Sequence, residues 1–276
     1  MSKALITESY LTAIADAIRA KGGASGTMTP AEMAAAIEAI ETEKYGVNVG
    51  AFFGEVNASG QLAQPTEAEN LTISGFTSIA NYVFSHKFYR CSGLRSVTFA
   101  DLESVPAFGM NYCFQGCTRL THVSFPALKE VKGDEPFYYA FQGCTALESA
   151  EFPVLRQIGE NSKAVYDRQF NYAFQSCNKL TELHFPALEL IYCNGTNAAY
   201  GTFSYSNKLQ KIYLPACRYI GKGDAYTNVK AANGTFSHCD TLTEIHFAAA
   251  HQAEIESSTG YATKWGATNA TISFDL

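Results

Sequence analysis

A chain of 276 residues is long for one compact core and short for two full-size domains, so it suggests one elongated unit with a small appendage. Acidic side chains outnumber basic ones, 26 to 20, for a net charge of −6, which gives the chain no electrostatic reason to follow a phosphate backbone. With 47% hydrophobic and 17% charged residues it is no disordered chain, and no stretch approaches the roughly 18 apolar residues of a membrane helix. Nucleic-acid binding and membrane insertion are therefore not expected.

Residues 1 to 44 read as two short helices. Leu11, Ile14, Ala15 and Ile18 share one face, and Gly22-Gly23 supply a stop. Thr29-Pro30-Ala31-Glu32 is a capping box with proline at the first helical position, and Met33, Ile37 and Ile40 form a second stripe. Each stripe is too thin to hold a domain alone. The segment is either a self-contained helical hairpin or a surface for oligomerisation or docking. Met1 to Gly23 lacks the apolar stretch of a secretory signal, so the expected site of folding is a cytosol. Residues 45 to 70, punctuated by Gly46, Gly50, Gly54 and Gly60, read as a linker and a β element.

Residues 71 to 247 repeat. Phe114-Gln-Gly-Cys117-Thr-Arg-Leu120-Thr-His-Val123-Ser-Phe125-Pro126-Ala-Leu128 returns from Phe141, Phe174, Phe203 and Phe236, and an earlier copy at Phe88 lacks the proline. The anchoring leucines, Leu94, Leu120, Leu147, Leu180, Leu209 and Leu242, are spaced 26, 27, 33, 29 and 33 residues apart. Phe, Cys, Leu and Val recur every three residues; then Val123 and Phe125, two apart, mark a short strand with both side chains pointing inward. Pro126, Pro153, Pro186 and Pro215 stop that strand, because proline has no N–H for a ladder bond. A second apolar step follows, as in Leu128 to Val131 and Leu155 to Ile158. One such coil cannot bury its own apolar face, but a stack can. The expected fold is a β-rich solenoid.

The eight cysteines fit this scheme better than a disulfide framework. Cys91, Cys117, Cys144, Cys177 and Cys239 each follow a Phe by three residues and precede a Leu by three, the register of a small buried filler. No Cys-x-x-Cys pair supports a zinc site. Residues 248 to 276 read as a C-terminal cap, with a helical turn near Ala248 to Glu256 and a last strand at Ala270 to Phe274.

Chemistry is sparse. No phosphate-binding glycine loop, nucleophile elbow or His-Glu-x-x-His occurs. His184 and His246 share a strand register with Tyr213 between them, read as exposed polar positions, not as a metal column. Asp134, Glu135, Asp167 and Asp224 lie in successive inserts, where a carboxylate pair is conceivable but solvated acids are the plainer reading. No catalytic residue, metal or cofactor is expected. The inserts between anchors, 129–139, 156–172, 189–201 and 218–234, are rich in Tyr and Asn, the composition of binding loops on rigid scaffolds. Candidate contact residues are Tyr112, Tyr138, Tyr139, Tyr166, Asn171, Tyr172, Tyr192, Tyr200, Tyr226 and Asn233. The alternative is that these rings only cover the phenylalanine core.

Leu180-Thr-Glu-Leu-His-Phe-Pro186, Gln157-Ile158-Gly159 and Ala173-Phe174-Gln-Ser-Cys177 resemble the coil of the BspA-like branch of the leucine-rich repeats. The resemblance implies a right-handed stack of leucine-rich-repeat coils with a small N-terminal helical hairpin, and a binding role without catalysis. The coils here exceed the usual length of that branch, so each carries an insert. The phrase Leu11-Thr-Ala-Ile-Ala-Asp-Ala-Ile-Arg-Ala-Lys-Gly-Gly, followed by Met28-Thr-Pro-Ala-Glu-Met, resembles the start of tail and tail-fibre proteins of phages and prophages. That likeness implies a virion-tail protein binding a bacterial cell-surface glycan or protein. It would attach to another tail or baseplate protein through residues 1–44, as a homo-oligomer, a trimer by analogy with fibres. A cellular surface adhesin and a glycan-degrading enzyme are the alternatives.

Overall fold

The computed structural model describes residues 69–74, 77–79, 81–159, 168–192, 202–222 and 234–276. The expected helical hairpin and its oligomerisation surface lie outside the described residues. In chain order the strands are β1 (Asn70–Ile73), β2 (Ser96–Phe99), β3 (Ser104–Val105), β4 (His122–Ser124), β5 (Glu130–Val131), β6 (Ser149–Glu151) and β7 (Gln157–Ile158). They continue as β8 (Glu182–His184), β9 (Leu190–Tyr192), β10 (Lys211–Leu214), β11 (Tyr219–Lys222), β12 (Glu244–Phe247) and β13 (Thr271–Phe274).

Every pairing is parallel and joins one coil to the next, which makes the molecule a β-solenoid of leucine-rich-repeat coils. One wall is β1-β2-β4-β6 followed by β8-β10-β12-β13; the second is the five-stranded sheet β3-β5-β7-β9-β11. Parallel strands need long crossovers, and here the rest of each coil supplies them. The first wall is interrupted between β6 and β8, while the second pairs straight across the same level through Gln157↔Leu190 and Ile158↔Ile191.

Alternation sets the core. Val97, Phe99, Val123, Leu183, Ile212, Ile245 and Phe247 point inward and are buried, while Ser96, Thr98, His122, Glu182 and Lys211 lie on the outer face. Phe99, Phe125, Phe152 and Phe185 stack as one column, with ring centroids 5.0, 5.3 and 5.5 Å apart. A second column runs Phe88, Phe114, Phe141 and Phe174, at 5.1, 5.6 and 5.6 Å. A third runs Phe137, Phe170, Phe203 and Phe236, at 4.8, 5.5 and 5.7 Å.

The third column corrects the register of the sequence repeat. Phe203 and Phe236 are equivalent to Phe137 and Phe170, not to Phe141 and Phe174. From Phe170 to Leu180 is ten residues but from Phe203 to Leu209 only six, so the later coils have dropped one four-residue turn.

The five register cysteines are free and buried, and Ser206 takes the sixth place. Their role goes beyond filling volume. The thiols of Cys117, Cys144, Cys177 and Cys239 donate to the carbonyls of Phe88, Phe114, Phe141 and Phe203 in the preceding coil, at 3.0–3.2 Å. The Phe88, Phe114 and Phe141 carbonyls also accept the N–H of Cys91, Cys117 and Cys144 in their own coils at 3.0–3.1 Å, so each thiol is a second donor that ties one coil to the next. Burial pushes the Cys239 thiol up to about 12, so it stays protonated and unreactive. At the C-terminal end α1 (Gln252–Glu256) and β13 close the stack over Trp265, which is fully buried and donates its indole N–H to the Thr259 carbonyl at 2.9 Å.

Candidate functional site

Between the anchoring phenylalanines and the first-wall strand, each coil makes four-residue turns closed by an N–H three residues on. Examples are Cys113 N–H to Met110 O at 3.1 Å, Ala140 N–H to Phe137 O at 3.0 Å and Ala173 N–H to Phe170 O at 3.0 Å. The third residue of each turn is left-handed: His86 (φ 58), Tyr112 (56), Tyr139 (55), Tyr172 (56), Tyr205 (64) and His238 (57). Glycine or asparagine is the usual occupant of such a position. A residue with a Cβ costs about 1–2 kcal/mol there. This chain places an aromatic ring at all six.

The coil stack brings those rings face to face. His86, Tyr112, Tyr139, Tyr172, Tyr205 and His238 form a continuous ladder with centroids 4.6, 5.0, 4.5, 4.1 and 4.3 Å apart and planes within 16° of parallel. Backbone bonds pin each rung: Tyr112 N–H to Tyr138 O at 2.8 Å, Tyr139 to Asn171 at 3.1 Å, Tyr172 to Ser204 at 3.0 Å and Tyr205 to Ser237 at 3.0 Å. Aromatic pairs contribute about 0.5–1.5 kcal/mol beyond their burial. Six rungs share five such pairs, which offset part of the backbone cost. His86 and the four tyrosines are half-buried, and His238 is exposed. Each ring covers its neighbours' faces, so the ladder presents ring edges to the outside, and the Tyr112 and Tyr139 hydroxyls are hydrogen-bonded to Tyr138.

Tyr138 stands beside the ladder, edge-on to Tyr112, Tyr139 and Tyr172 at 5.5, 4.3 and 5.9 Å. Burial, then hydrogen bonding to Tyr139, pushes its phenol well above the usual range, and burial raises that of Tyr112. Burial also lowers His86. One turn upstream, Tyr82 stacks on Phe108 at 4.8 Å, and Glu135 pairs with Arg168 at 2.7 Å with both largely shielded. The Glu135 carboxylate is thus committed to an ion pair. Asp167 and Asp224 lie outside the described residues.

Of the sequence candidates, Tyr112, Tyr138, Tyr139 and Tyr172 come together in this ridge. Tyr192 sits apart on β9 in the second wall. Asn171 is fully buried, with neither amide atom hydrogen-bonded, so it forms part of the wall beneath the ridge and not its surface. Tyr166, Tyr200, Tyr226 and Asn233 lie outside the described residues. The sequence reading overlooked His86, Tyr205 and His238. The missed signal is a spacing: Phe84-Ser-His86, Met110-Asn-Tyr112, Phe137-Tyr-Tyr139, Phe170-Asn-Tyr172, Phe203-Ser-Tyr205 and Phe236-Ser-His238 all place the ring two residues after a core side chain.

The first wall carries a shorter ladder. His184, Tyr213 and His246 hold one register across β8, β10 and β12 and stack at 4.2 and 4.7 Å. His246 is clasped by Asp275 at 2.9 Å and Glu244 at 3.0 Å. The interruption between β6 and β8 opens an exposed cleft of about 470 Å³, whose lining includes Glu148, Glu151, Glu182, His184, Phe152 and Pro186. Among the described residues no group of three or more His, Cys, Asp or Glu is arranged to hold a metal ion, and no helix is long and apolar enough to cross a membrane.

The family model for the BspA-type leucine-rich-repeat region matches residues 64–231 and 139–264, in six copies. Among solved structures, a leucine-rich-repeat protein from Bacteroides ovatus matches with 15% identity over 78% of this chain and 71% of that chain, at a TM-score of 0.26. No curated protein matches.

Proposed function

The chain belongs to the BspA-type leucine-rich-repeat family, and from that premise we propose that it is a non-enzymatic binding protein whose contact surface is the tyrosine ridge with the inserts beside it. The observation that carries this reading is the six-ring ladder held in turns that favour glycine. Strain kept at successive positions, on a rigid scaffold and along one half-exposed line, is a mark of a functional surface. The ligand suited to this ridge is an extended chain lying along the stack, touching ring edges and hydrogen-bonding to the phenol hydroxyls.

The finer reading is a phage or prophage tail-fibre-type receptor-binding protein. Residues 1–44 would attach a trimer to a tail or baseplate protein, and the ridge would recognise a bacterial surface glycan or protein. Its support is the likeness of residues 11–33 to fibre starts. Three copies would raise effective affinity through multivalency, by about 10²–10⁴ overall. The family match favours a second reading, a cellular surface adhesin with the same ridge. Labelled full-length protein incubated with a panel of bacteria, and with negative-stained phage-tail preparations, separates the two. Decoration of tails by antibodies to this chain supports the fibre; its presence on cell walls of uninfected cells supports the adhesin. Sugar released from the bound surface would overturn the non-enzymatic reading.

A further inference from the structure

We propose that the tyrosine ladder is an oxidative cross-linking site, where neighbouring rungs join as dityrosine and staple successive coils. The inference is independent of what the ridge binds. Tyr172 and Tyr205 have centroids 4.1 Å apart with planes 12° from parallel; Tyr139 and Tyr172 are 4.5 Å apart at 5°, and Tyr112 and Tyr139 are 5.0 Å apart at 11°. The stack holds adjacent rings in face-to-face contact, so coupling needs a turn of the rings and not a new approach of the coils. Both close pairs lie 33 residues apart in sequence, so each bond would close a long loop and restrict the unfolded chain.

Among the described residues, sulfur and indole offer the ladder little competition. The seven described cysteines are buried and free, and the single tryptophan is fully buried beneath the cap. Tyr82, 56% exposed, stacks on Phe108, which offers no phenol to couple with; along the ladder, contiguous stacking lets an electron vacancy formed at one rung reach the next phenol.

The chemistry balances with a peroxide as oxidant, delivered by a haem peroxidase. Each of two phenols gives up one electron and its hydroxyl proton, forming two phenoxyl radicals. These couple through one ortho carbon each, making one C–C bond. The hydrogens on those carbons then shift to the oxygens and restore two phenols. The net loss is two electrons and two protons, which reduce one hydrogen peroxide to two waters.

The test treats dilute full-length protein with hydrogen peroxide and a plant peroxidase, using a mixture of unlabelled and heavy-nitrogen-labelled chains. Dityrosine fluorescence should rise, intact mass should fall by two hydrogens per bond, and tandem mass spectrometry should place the bonds at Tyr172–Tyr205 and Tyr139–Tyr172 within chains of one isotope. Tyr172→Phe keeps a ring in the stack but removes a partner of both close pairs, and should cut the yield to less than half. Tyr219→Phe, off the ladder, should leave it unchanged. Cross-links that mix isotopes, map off the ladder, form equally in urea-unfolded chain, or persist undiminished in Tyr172→Phe would overturn the proposal.

Discussion

Two neighbouring lines of turns run down the same coils and answer the same backbone demand in opposite ways. Four residues beyond Tyr112 and Tyr139 lie Gly116 (φ 74) and Gly143 (φ 72), in turns closed in the same manner by Cys117 and Cys144. There the chain uses the residue that left-handed geometry favours, and in the flanking coils Arg90 (φ 56) and Ser176 (φ 61) substitute. In the adjacent line every rung is Tyr or His. Local conformation cannot select those rings, since it selects against them in both lines. What differs is the neighbour each side chain meets in the next coil: a ring meets a ring, whereas a Cβ added at Gly143 would meet only the Gly116 backbone at 3.8 Å. Selection of the ladder is therefore a property of the stack and of whatever the ridge touches.

The core fixes the scale against which the two lines are judged. Phe141→Ala removes a fully buried ring from the second phenylalanine column and should cost about 3–5 kcal/mol in chemical denaturation. Tyr172→Ala keeps the strained backbone and loses two stacking neighbours, for about 1–3 kcal/mol. Tyr172→Gly loses the same stacking but relieves the left-handed strain, and should be less damaging than the alanine by about 1 kcal/mol. If the glycine variant proves the worse of the two, strain at the rungs is not what the geometry implies. Gly143→Ala has room for its Cβ, so its expected loss of about 1–2 kcal/mol is backbone cost alone.

The smallest effect concerns the second, shorter ladder. Burial works against the charge on His246, but hydrogen bonds to Asp275 and Glu244 outweigh it and raise its pKa above the ordinary histidine value. A raised folded-state pKa stabilises fully below the unfolded value near 6.5 and is lost as pH climbs through the folded one. The denaturation midpoint should therefore drift downward with rising pH from about 6.5 upward. His246→Gln should flatten that drift, and an unchanged profile would show that the clasp does not act through charge.

Much of this molecule was legible in its sequence, for physical reasons that also mark where legibility ended. The solenoid followed from the recurrence of Phe, Cys, Leu and Val and from the two-residue step to Phe125, because stacking forces like side chains into like registers. The thiol column followed too, although its donation to the preceding Phe carbonyl needed geometry. The ladder was half read. Tyr112, Tyr139 and Tyr172 stood out by composition, but anchoring on Phe203 and Phe236 as equals of Phe174 hid Tyr205 and His238. Loss of a four-residue turn leaves both phenylalanine registers plausible until the rings are seen to stack. Left-handed backbone at tyrosine gave no local signal at all. Nor did the interruption beside Ala150, which no residue type announces.

The most direct test keeps the rings of the ladder and removes their hydroxyls. Tyr112, Tyr139, Tyr172 and Tyr205 are changed together to phenylalanine, and stability and attachment to a bacterium that the wild type decorates are measured side by side. The account expects stability to fall by no more than the two hydrogen bonds to Tyr138, because four rings still stack, and attachment to fall by at least about tenfold, the loss of roughly one hydrogen bond's worth of contact. Wild-type attachment by the four-fold phenylalanine variant, with its fold intact, would contradict the claim that the exposed edge of the ladder is the binding surface.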